Sequence, residues 1–169
     1  KRQLDFAVRN TQRAIGARAS AHVTRKFGMR ALPEGQLSIN LRGSCGQSLG
    51  AFLAQGIALH VTGDANDYVG KGLSGATIIL KPPSTAKFKP KDNTIIGNTV
   101  LYGATSGKVF AAGQAGERPR RVREPAASGP GGLGLRARLP RSGRGGAVPP
   151  DRGLGGSLVL QRWAGSGDR

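Results

Sequence analysis

The sequence is short of cysteine and of aromatic rings, and each shortage excludes a class of protein. Cys45 is the only cysteine among 169 residues. The chain alone can therefore form no disulfide framework, no four-cysteine zinc site and no iron–sulfur cluster. A reducing setting, the cytoplasm, is expected. Aromatic residues make up 5% of the chain, so the core has to be built from small and β-branched side chains.

Signals for export or membrane insertion are also missing. The chain opens at Lys1 with no methionine and no apolar stretch behind its first basic residues, which favours a fragment without a targeting signal. Residues 43–63 carry no charge, but they include five glycines and the polar Gln47, Gln55 and His60. Because such groups are costly to bury in lipid, no membrane helix and no membrane partner are expected.

Positive charge is in excess, and composition divides the chain in two. There are 26 Lys and Arg against 9 Asp and Glu, a formal net charge of +17. In residues 117–169, Gly, Pro, Arg and Ala account for 34 of 53 positions, and lysine is absent. Such a segment buries little apolar area and is expected to be a largely disordered tail. Local apolar association is expected at four residues of the tail: Leu158, Val159, Leu160 and Trp163.

Two explanations of this tail are open. Arginine and glycine together can bind RNA through phosphate neutralisation and guanidinium stacking, with an affinity that falls steeply with salt. Alternatively, Gly, Pro, Arg and Ala are encoded by GC-rich codons, and arginine without lysine is what out-of-frame translation of such DNA gives. We favour a frameshift near Arg118, so nucleic acid is not the expected partner.

Two short helices are predicted near the start of the chain. Asn10 or Thr11 is positioned to cap one helix through Ile15. A second is predicted where apolar residues recur at a spacing of four before Gly28: Ala19, Val23 and Phe27. After Pro33 apolar and polar residues alternate, which indicates strands.

Three segments of the front half repeat one arrangement of strands, turns and glycines: residues 39–56, 59–75 and 95–107. Corresponding glycines of the first two segments are 20, 20 and 19 residues apart, and an insertion at residues 81–93, a solvated excursion from one corner, delays the third. A period near 20 predicts an all-β stack of coils, a β-helix, in which each coil relies on its neighbours. The predicted inward residues are Ile57, Leu59, Val61, Ile78, Leu80, Ile95, Val100 and Val109.

Two short motifs of enzymes occur in these repeats, and each has a simpler structural explanation. Gly70, Gly72 and Gly75 match the dinucleotide-binding pattern, but a strand-like run follows where that pattern requires a helix. Ser48 lies in a GxSxG sequence, but no acid and histidine follow it in the order that a hydrolase needs.

Candidate metal ligands are equally incomplete. Asp64, Asn66 and Asp67 cluster oxygen donors, but the twelfth position of a calcium loop would be Gly75, so turn capping is predicted. Cysteine and histidine are not spaced as ligands: Cys45, His22 and His60. The sequence therefore predicts no catalytic, cofactor-binding or metal-binding residue in this chain.

Longer strings carry a specific resemblance. Residues 43–52 read GSCGQSLGAF, 63–75 read GDANDYVGKGLSG, 93–107 read NTIIGNTVLYGATSG and 115–118 read AGER. Over residues 10–118 they resemble the C-terminal GXGXG domain of the glutamate synthase large (alpha) subunit. In that family the residues after AGER look like FxVRNSGA, whereas here Pro119 follows Arg118. This departure supports the frameshift hypothesis.

The resemblance implies a domain division and a role. Residues 1–36 would be a helical lead-in, 37–118 a right-handed parallel β-helix, and 119–169 a low-complexity tail. The family's enzyme moves the amide nitrogen of glutamine onto 2-oxoglutarate, which yields glutamate and assimilates ammonia. Its cysteine nucleophile lies in an amidotransferase domain, and its FMN and 3Fe-4S cluster lie in a barrel. The implied role here is non-catalytic bracing.

The resemblance also implies partners. They are the other domains of the large subunit and an electron-donating small subunit, with NADPH, NADH or ferredoxin as the donor of the parent enzyme. One further alternative is open, because a related β-helix occurs in a subunit of formylmethanofuran dehydrogenase. The strings NTIIGNTVLYGAT and AGER favour glutamate synthase.

Overall fold

The computed structural model describes residues 1–28, 32–116, 133–138 and 157–162. This part of the chain is mostly β. Its elements, in chain order, are β1 Arg2–Val8, α1 Ala17–Phe27, β2 Leu37–Cys45, β3 Ile57–Ala65, β4 Ser74–Lys81, a 3₁₀ turn Pro90–Asp92, β5 Thr94–Ile96, β6 Ser106–Ala111, β7 Gln114–Ala115, β8 Leu133–Arg138 and β9 Ser157–Arg162. None of the helices described here is long and apolar enough to cross a membrane.

The strands form one sheet in the order β1-β2-β3-β4-β6-β8-β9, and β5 lies between β3 and β7. All pairs among β1 to β7 are parallel. The pairs of β8 with β6 and of β8 with β9 are antiparallel. Because parallel neighbours cannot be joined by tight hairpins, the chain returns through a turn segment before each new strand.

The register of the sheet places similar apolar residues side by side and builds the core in columns. One column consists of Leu4, Ile39, Leu59, Ile78 and Val109. The next consists of Phe6, Leu41, Val61, Leu80 and Ala111. All are buried except Leu4 and Phe6, which are 41% and 52% exposed. The eight residues predicted to point inward are all buried, so that prediction is confirmed.

The turn segments are stacked in the same way as the strands. The N–H groups of Ala14, Ser48 and Tyr68 donate to carbonyls of the next turn, those of Gln47, Asp67 and Asn98, at 2.8–2.9 Å. Four turn segments are therefore equivalent: residues 12–16, 46–54, 66–74 and 97–105. We number them one to four.

Alternate residues of each turn have a left-handed backbone. One column has φ between +51° and +62°: Ala14, Ser48, Tyr68 and Thr99. A second has φ between +59° and +98°: Gly16, Gly50, Gly70 and Leu101. A third has φ between +55° and +67°: Phe52, Gly72 and Gly103. Because each turn repeats the conformation of the one below it, the amide groups meet in register along the stack.

Helix α1 follows the first turn and packs on the second. The hydroxyl of Ser20 accepts from the Ala54 N–H at 2.9 Å and donates to the Phe52 carbonyl at 2.8 Å. Val23, on the same side, is buried in the core. The helix ends at Gly28, whose N–H still donates to the Thr24 carbonyl. The second helix expected from the sequence is thus confirmed.

The first predicted helix is wrong. Residues 10–15 form a turn, since Ala14 donates to Gln47 and the Gln12 carbonyl accepts from the Gly46 N–H at 3.1 Å. The residues before them, expected to belong to a helical lead-in, include β1, which pairs with β2 over its whole length. The tertiary pairing of this segment outweighs the capping signal of Asn10 and Thr11. The domain division at residues 36 and 118 itself stays a prediction.

The first two repeats were aligned correctly, and the third only at its closing glycine, since Ser74 pairs with Ser106 and so places Gly107 beside Gly75. Gly43 pairs with Gly63 and Ala58 with Thr77, which confirms the offsets of 20 and 19 residues. Gly97, however, donates to the Ala65 carbonyl and follows the Ile96 pair of Ala65, so it lies beside Asn66 rather than Gly63. The insertion does not leave from a corner either. It lies between β4 and β5, which both pair with β3, and it therefore interrupts a strand of the stack.

The tail contains strands where disorder was expected. β8 pairs with β6 over Leu133–Arg138, and β9 pairs with β8 over Ser157–Arg162. The edge of β6 offers unpaired backbone N–H and C=O groups to which a further strand can bond. The amino-acid composition of the tail does not reveal this edge. Three of the residues expected to associate through apolar contacts lie in β9: Leu158, Val159 and Leu160. Arg118 and Trp163 lie outside the described residues.

Gly63 marks the closest approach of two strands and provides a test. A Cβ at Gly63, where φ is +150°, would overlap the carbonyl of Gly43, whereas a Cβ at Gly103, with φ +67°, meets nothing within 4 Å. Gly63→Ala should destabilise the chain by about 3 kcal/mol because the two backbones must separate. Gly103→Ala should cost about 1–2 kcal/mol from backbone strain alone. Urea unfolding followed by circular dichroism measures both, and equal losses would contradict the close-approach explanation.

Candidate functional site

The structure places the possible catalytic residues in different elements. Ser48 lies in the second turn with its N–H bonded to the Asp67 carbonyl. His60 lies in β3 beside Asn40, and His22 lies on α1. In the parts of the chain that the structure covers, no hydrogen bond joins the Ser48 hydroxyl to a histidine. The structure therefore gives no support to a nucleophile at Ser48.

The glycine-rich motif is followed by a strand, as predicted. Gly70, Gly72 and Gly75 have φ of +68°, +64° and +109°. β4 begins at Ser74, within the motif, so these glycines precede no helix N-terminus that could receive a pyrophosphate. Their role is conformational, since glycine adopts a left-handed backbone without a Cβ penalty.

Two of the three predicted oxygen donors, Asn66 and Asp67, cap turns, which confirms that part of the prediction, whereas Asp64 lies within β3. Oδ1 of Asn66 accepts from the Asp67 N–H at 2.8 Å, and its Nδ2 donates to Oδ1 of Asn10 at 3.2 Å. Oδ1 of Asp67 accepts from the Asn98 N–H at 2.7 Å. These bonds tie the third turn to the fourth and to Asn10, which precedes the first turn. Among the residues described, no three of His, Cys, Asp or Glu are arranged to hold a metal ion.

Cys45 is a core residue. It lies at the end of β2 with 1% of its surface exposed. Burial, and secondarily the negative charge of Asp64, raises the pKa of its thiol to about 12. Because the thiolate is the reactive form, this side chain is unsuited to nucleophilic chemistry at neutral pH.

Two adjoining cavities lie beside the ends of β2 and β3, and the larger one is lined by Gly43 and Gly63. Their volumes are about 310 and 570 Å³. Both are lined by Ser44, Asp64, Thr94 and Ile95, and the larger one is closed on one side by the insertion, at Pro82, Pro83 and Phe88. Each lining combines the Asp64 carboxylate with hydroxyls, asparagine amides and apolar carbons, and the larger cavity is also lined by Arg42. Neither lining contains a histidine.

Another surface was missed by the sequence analysis. Phe52, Tyr68 and Tyr102 are 62%, 38% and 55% exposed. The ammonium group of Lys71 lies 5.8 Å from the centre of the Tyr68 ring. We call these four residues the aromatic–lysine surface. Its only sequence signal is an aromatic residue in the turn of each repeat, which carries no motif of its own.

This chain belongs to the GXGXG motif family, whose model matches residues 1–128. The stacked turns and parallel strands described above lie in that range. The match confirms the resemblance predicted from the sequence and extends it to β1.

Glutamate synthases are among the curated relatives that it matches. The chain is 66% identical over 118 residues, 70% of its length, to "Glutamate synthase [NADPH] large chain" of Azospirillum brasilense. It is 55% identical over 115 residues, 68% of its length, to "Glutamate synthase [NADH]" of Saccharomyces cerevisiae. It is 50% identical over 109 residues, 64% of its length, to "Ferredoxin-dependent glutamate synthase 2" of Synechocystis. The chain spans 8%, 5% and 7% of these relatives' own lengths.

The buried thiol predicts a pH dependence of reactivity and stability. An unfolded chain has a cysteine pKa of about 8.5, so raising it to about 12 stabilises the fold below the unfolded value. That contribution is lost as the pH rises towards 12. At pH 8 a disulfide reagent should modify the native chain at least about 100-fold more slowly than the urea-unfolded chain. Cys45→Ser supplies the background rate, and similar rates in both states would contradict the burial of the thiol.

Proposed function

We propose that this chain is part of a glutamate synthase large subunit, in which it forms a non-catalytic, right-handed parallel β-helix that braces the other domains. The observation that carries the proposal is the stack of strands and turns in one register, in a chain 66% identical over 118 residues to a glutamate synthase large chain. Parallel strands joined by crossovers are right-handed in about 98% of cases, which supports the handedness.

Bracing follows from how the stack is stabilised. Four strands, β2, β3, β4 and β6, are each bonded to a strand on either side. Each of the first three turns is bonded to the turn that follows it in the stack. The apolar columns run through the stack without interruption from β2 to β6. Bending such a stack would break backbone bonds and separate packed side chains together. A domain of this kind holds its surfaces at fixed spacings, which suits it to position neighbours.

The cofactors of the parent enzyme are assigned to other domains in this proposal. A 3Fe-4S cluster needs several thiolate ligands, and the one thiol here is buried with a raised pKa. The residues of this chain therefore do not fit the cluster. FMN, the amidotransferase cysteine and the small subunit are placed with it outside the segment. The relatives' names include NADPH, NADH and ferredoxin, so similarity selects no one donor.

A chimera tests the proposed function. In the Azospirillum brasilense large chain, the segment that matches this chain over 118 residues is replaced by the corresponding residues of this chain. We expect cytoplasmic expression and glutamine-dependent formation of glutamate from 2-oxoglutarate at a rate within about twofold of the parent, because a brace changes no barrier of the reaction. Glutamate formation and thermal unfolding are measured together.

Two controls make the chimera decisive. The same chimera with Gly63→Ala should lose thermal stability and then activity, because the stack is opened, whereas Gly103→Ala should keep most of both. A chimera that folds like the parent but forms no glutamate would contradict the proposed function.

The tail gives an independent prediction about the gene. If a frameshift lies near Arg118, resequencing the coding DNA over codons 110–130 will show a neighbouring reading frame that continues with a phenylalanine and a VRNSGA-like run. The control is the unchanged reading of codons before 110. Confirmation of Pro119 and the following residues in frame, with no such run in another frame, would contradict the hypothesis.

A further inference from the structure

The aromatic–lysine surface is one continuous patch across three turns. The Phe52 N–H donates to the Lys71 carbonyl at 2.7 Å, and the Gly72 N–H donates to the Tyr102 carbonyl at 2.8 Å. A Cβ at Gly72 would lie 2.5 Å from the Phe52 ring, so this ring covers the glycine. The second turn thus contributes Phe52, the third Tyr68 and Lys71, and the fourth Tyr102.

Two of these aromatic residues occupy positions that disfavour them. Phe52 has φ +55° and Tyr68 has φ +62°, a left-handed backbone that is unusual for bulky residues. The positions equivalent to Phe52 in the next two turns are glycines, Gly72 and Gly103. Strain at a bulky residue is commonly retained where function requires the side chain. Since most of the Phe52 ring is exposed, burial in the core does not compensate for this strain.

The charge of the patch indicates the chemistry of its partner. Lys71 contacts the Tyr68 ring, and the ion pair found in the described residues joins other groups, Lys108 and Glu34. The nearby carboxylate of Asp67 is engaged by the Asn98 N–H. The chain as a whole carries +17. An acidic partner is therefore complementary to this surface.

We propose that the aromatic–lysine surface docks against an acidic face of another domain of the same large subunit. This inference rests on the proposed function, and it names the contact that the brace uses. The matched segment is 8% of the Azospirillum brasilense chain, so most of that protein is available to cover it. Exposed aromatic rings are typical of interface centres, where they leave water, and a charge beside them finds its partner at the polar rim.

Lysine acetylation compares the 169-residue chain with the active chimera. We expect Lys71 to be acetylated at least about tenfold more slowly in the chimera, which corresponds to about 1.4 kcal/mol of protection. Lys87, which is exposed on the insertion, is the matched control and should react equally in both. A zero-length carbodiimide cross-linker should join Lys71 to Asp or Glu residues outside the matched segment. Lys71→Glu should remove those cross-links.

The outcomes separate this inference from the proposed function. An active chimera in which Lys71 reacts as fast as in the chain alone overturns the docking surface and leaves the proposed function intact. Cross-links that reach only a second copy of the segment overturn it as well. Binding of a labelled single-stranded RNA that Lys71→Glu abolishes, without protection in the chimera, would make the patch a nucleic-acid surface. A folded but inactive chimera contradicts both proposals.

Discussion

Backbone hydrogen bonding between successive strand–turn units is the interaction on which the rest of the structure depends. It requires neighbouring backbones to approach closely, which Gly43 and Gly63 allow because a Cβ at Gly63 would strike the Gly43 carbonyl. It also requires every turn to repeat one alternation of left-handed residues, which the stack imposes even on Phe52 and Leu101. Core columns, side-chain caps and surface patches all follow from that common register.

Much of this arrangement is visible in the sequence, and the exceptions have physical reasons. Offsets between the first two repeats and the inward residues were predicted because glycines and β-branched residues mark both. β1 was missed although Leu4, Phe6 and Val8 alternate with polar or small residues, since the capping signal at Asn10 favoured a helix. The third repeat was misaligned because Leu101 takes the left-handed position that glycine holds at Gly50 and Gly70.

The candidate site could not be predicted from spacing, because it is assembled by register. Tyr68 and Tyr102 are far apart in the chain, and only the stacking of turns brings their backbones into neighbouring positions. The short motifs at Ser48 and at the glycines near Gly72 do not mark this surface, and the structural explanation expected for those glycines agrees with their left-handed backbone. The polar cluster at Asp67 was predicted correctly because side-chain capping is local and needs no knowledge of the stack.

The insertion shows how tolerant this architecture is of added sequence. Val61 and Ala65 of β3 lie four positions apart in the chain. Their partners Leu80 and Ile96 lie sixteen positions apart, although both keep the same register. In the next layer the corresponding partners, Ala111 and Ala115, are again four positions apart in the chain. The two ends of the excursion are therefore fixed about 13 Å apart, at about 3.3 Å per strand residue. A whole foreign domain whose termini lie that close together could be grafted here without disturbing either flank.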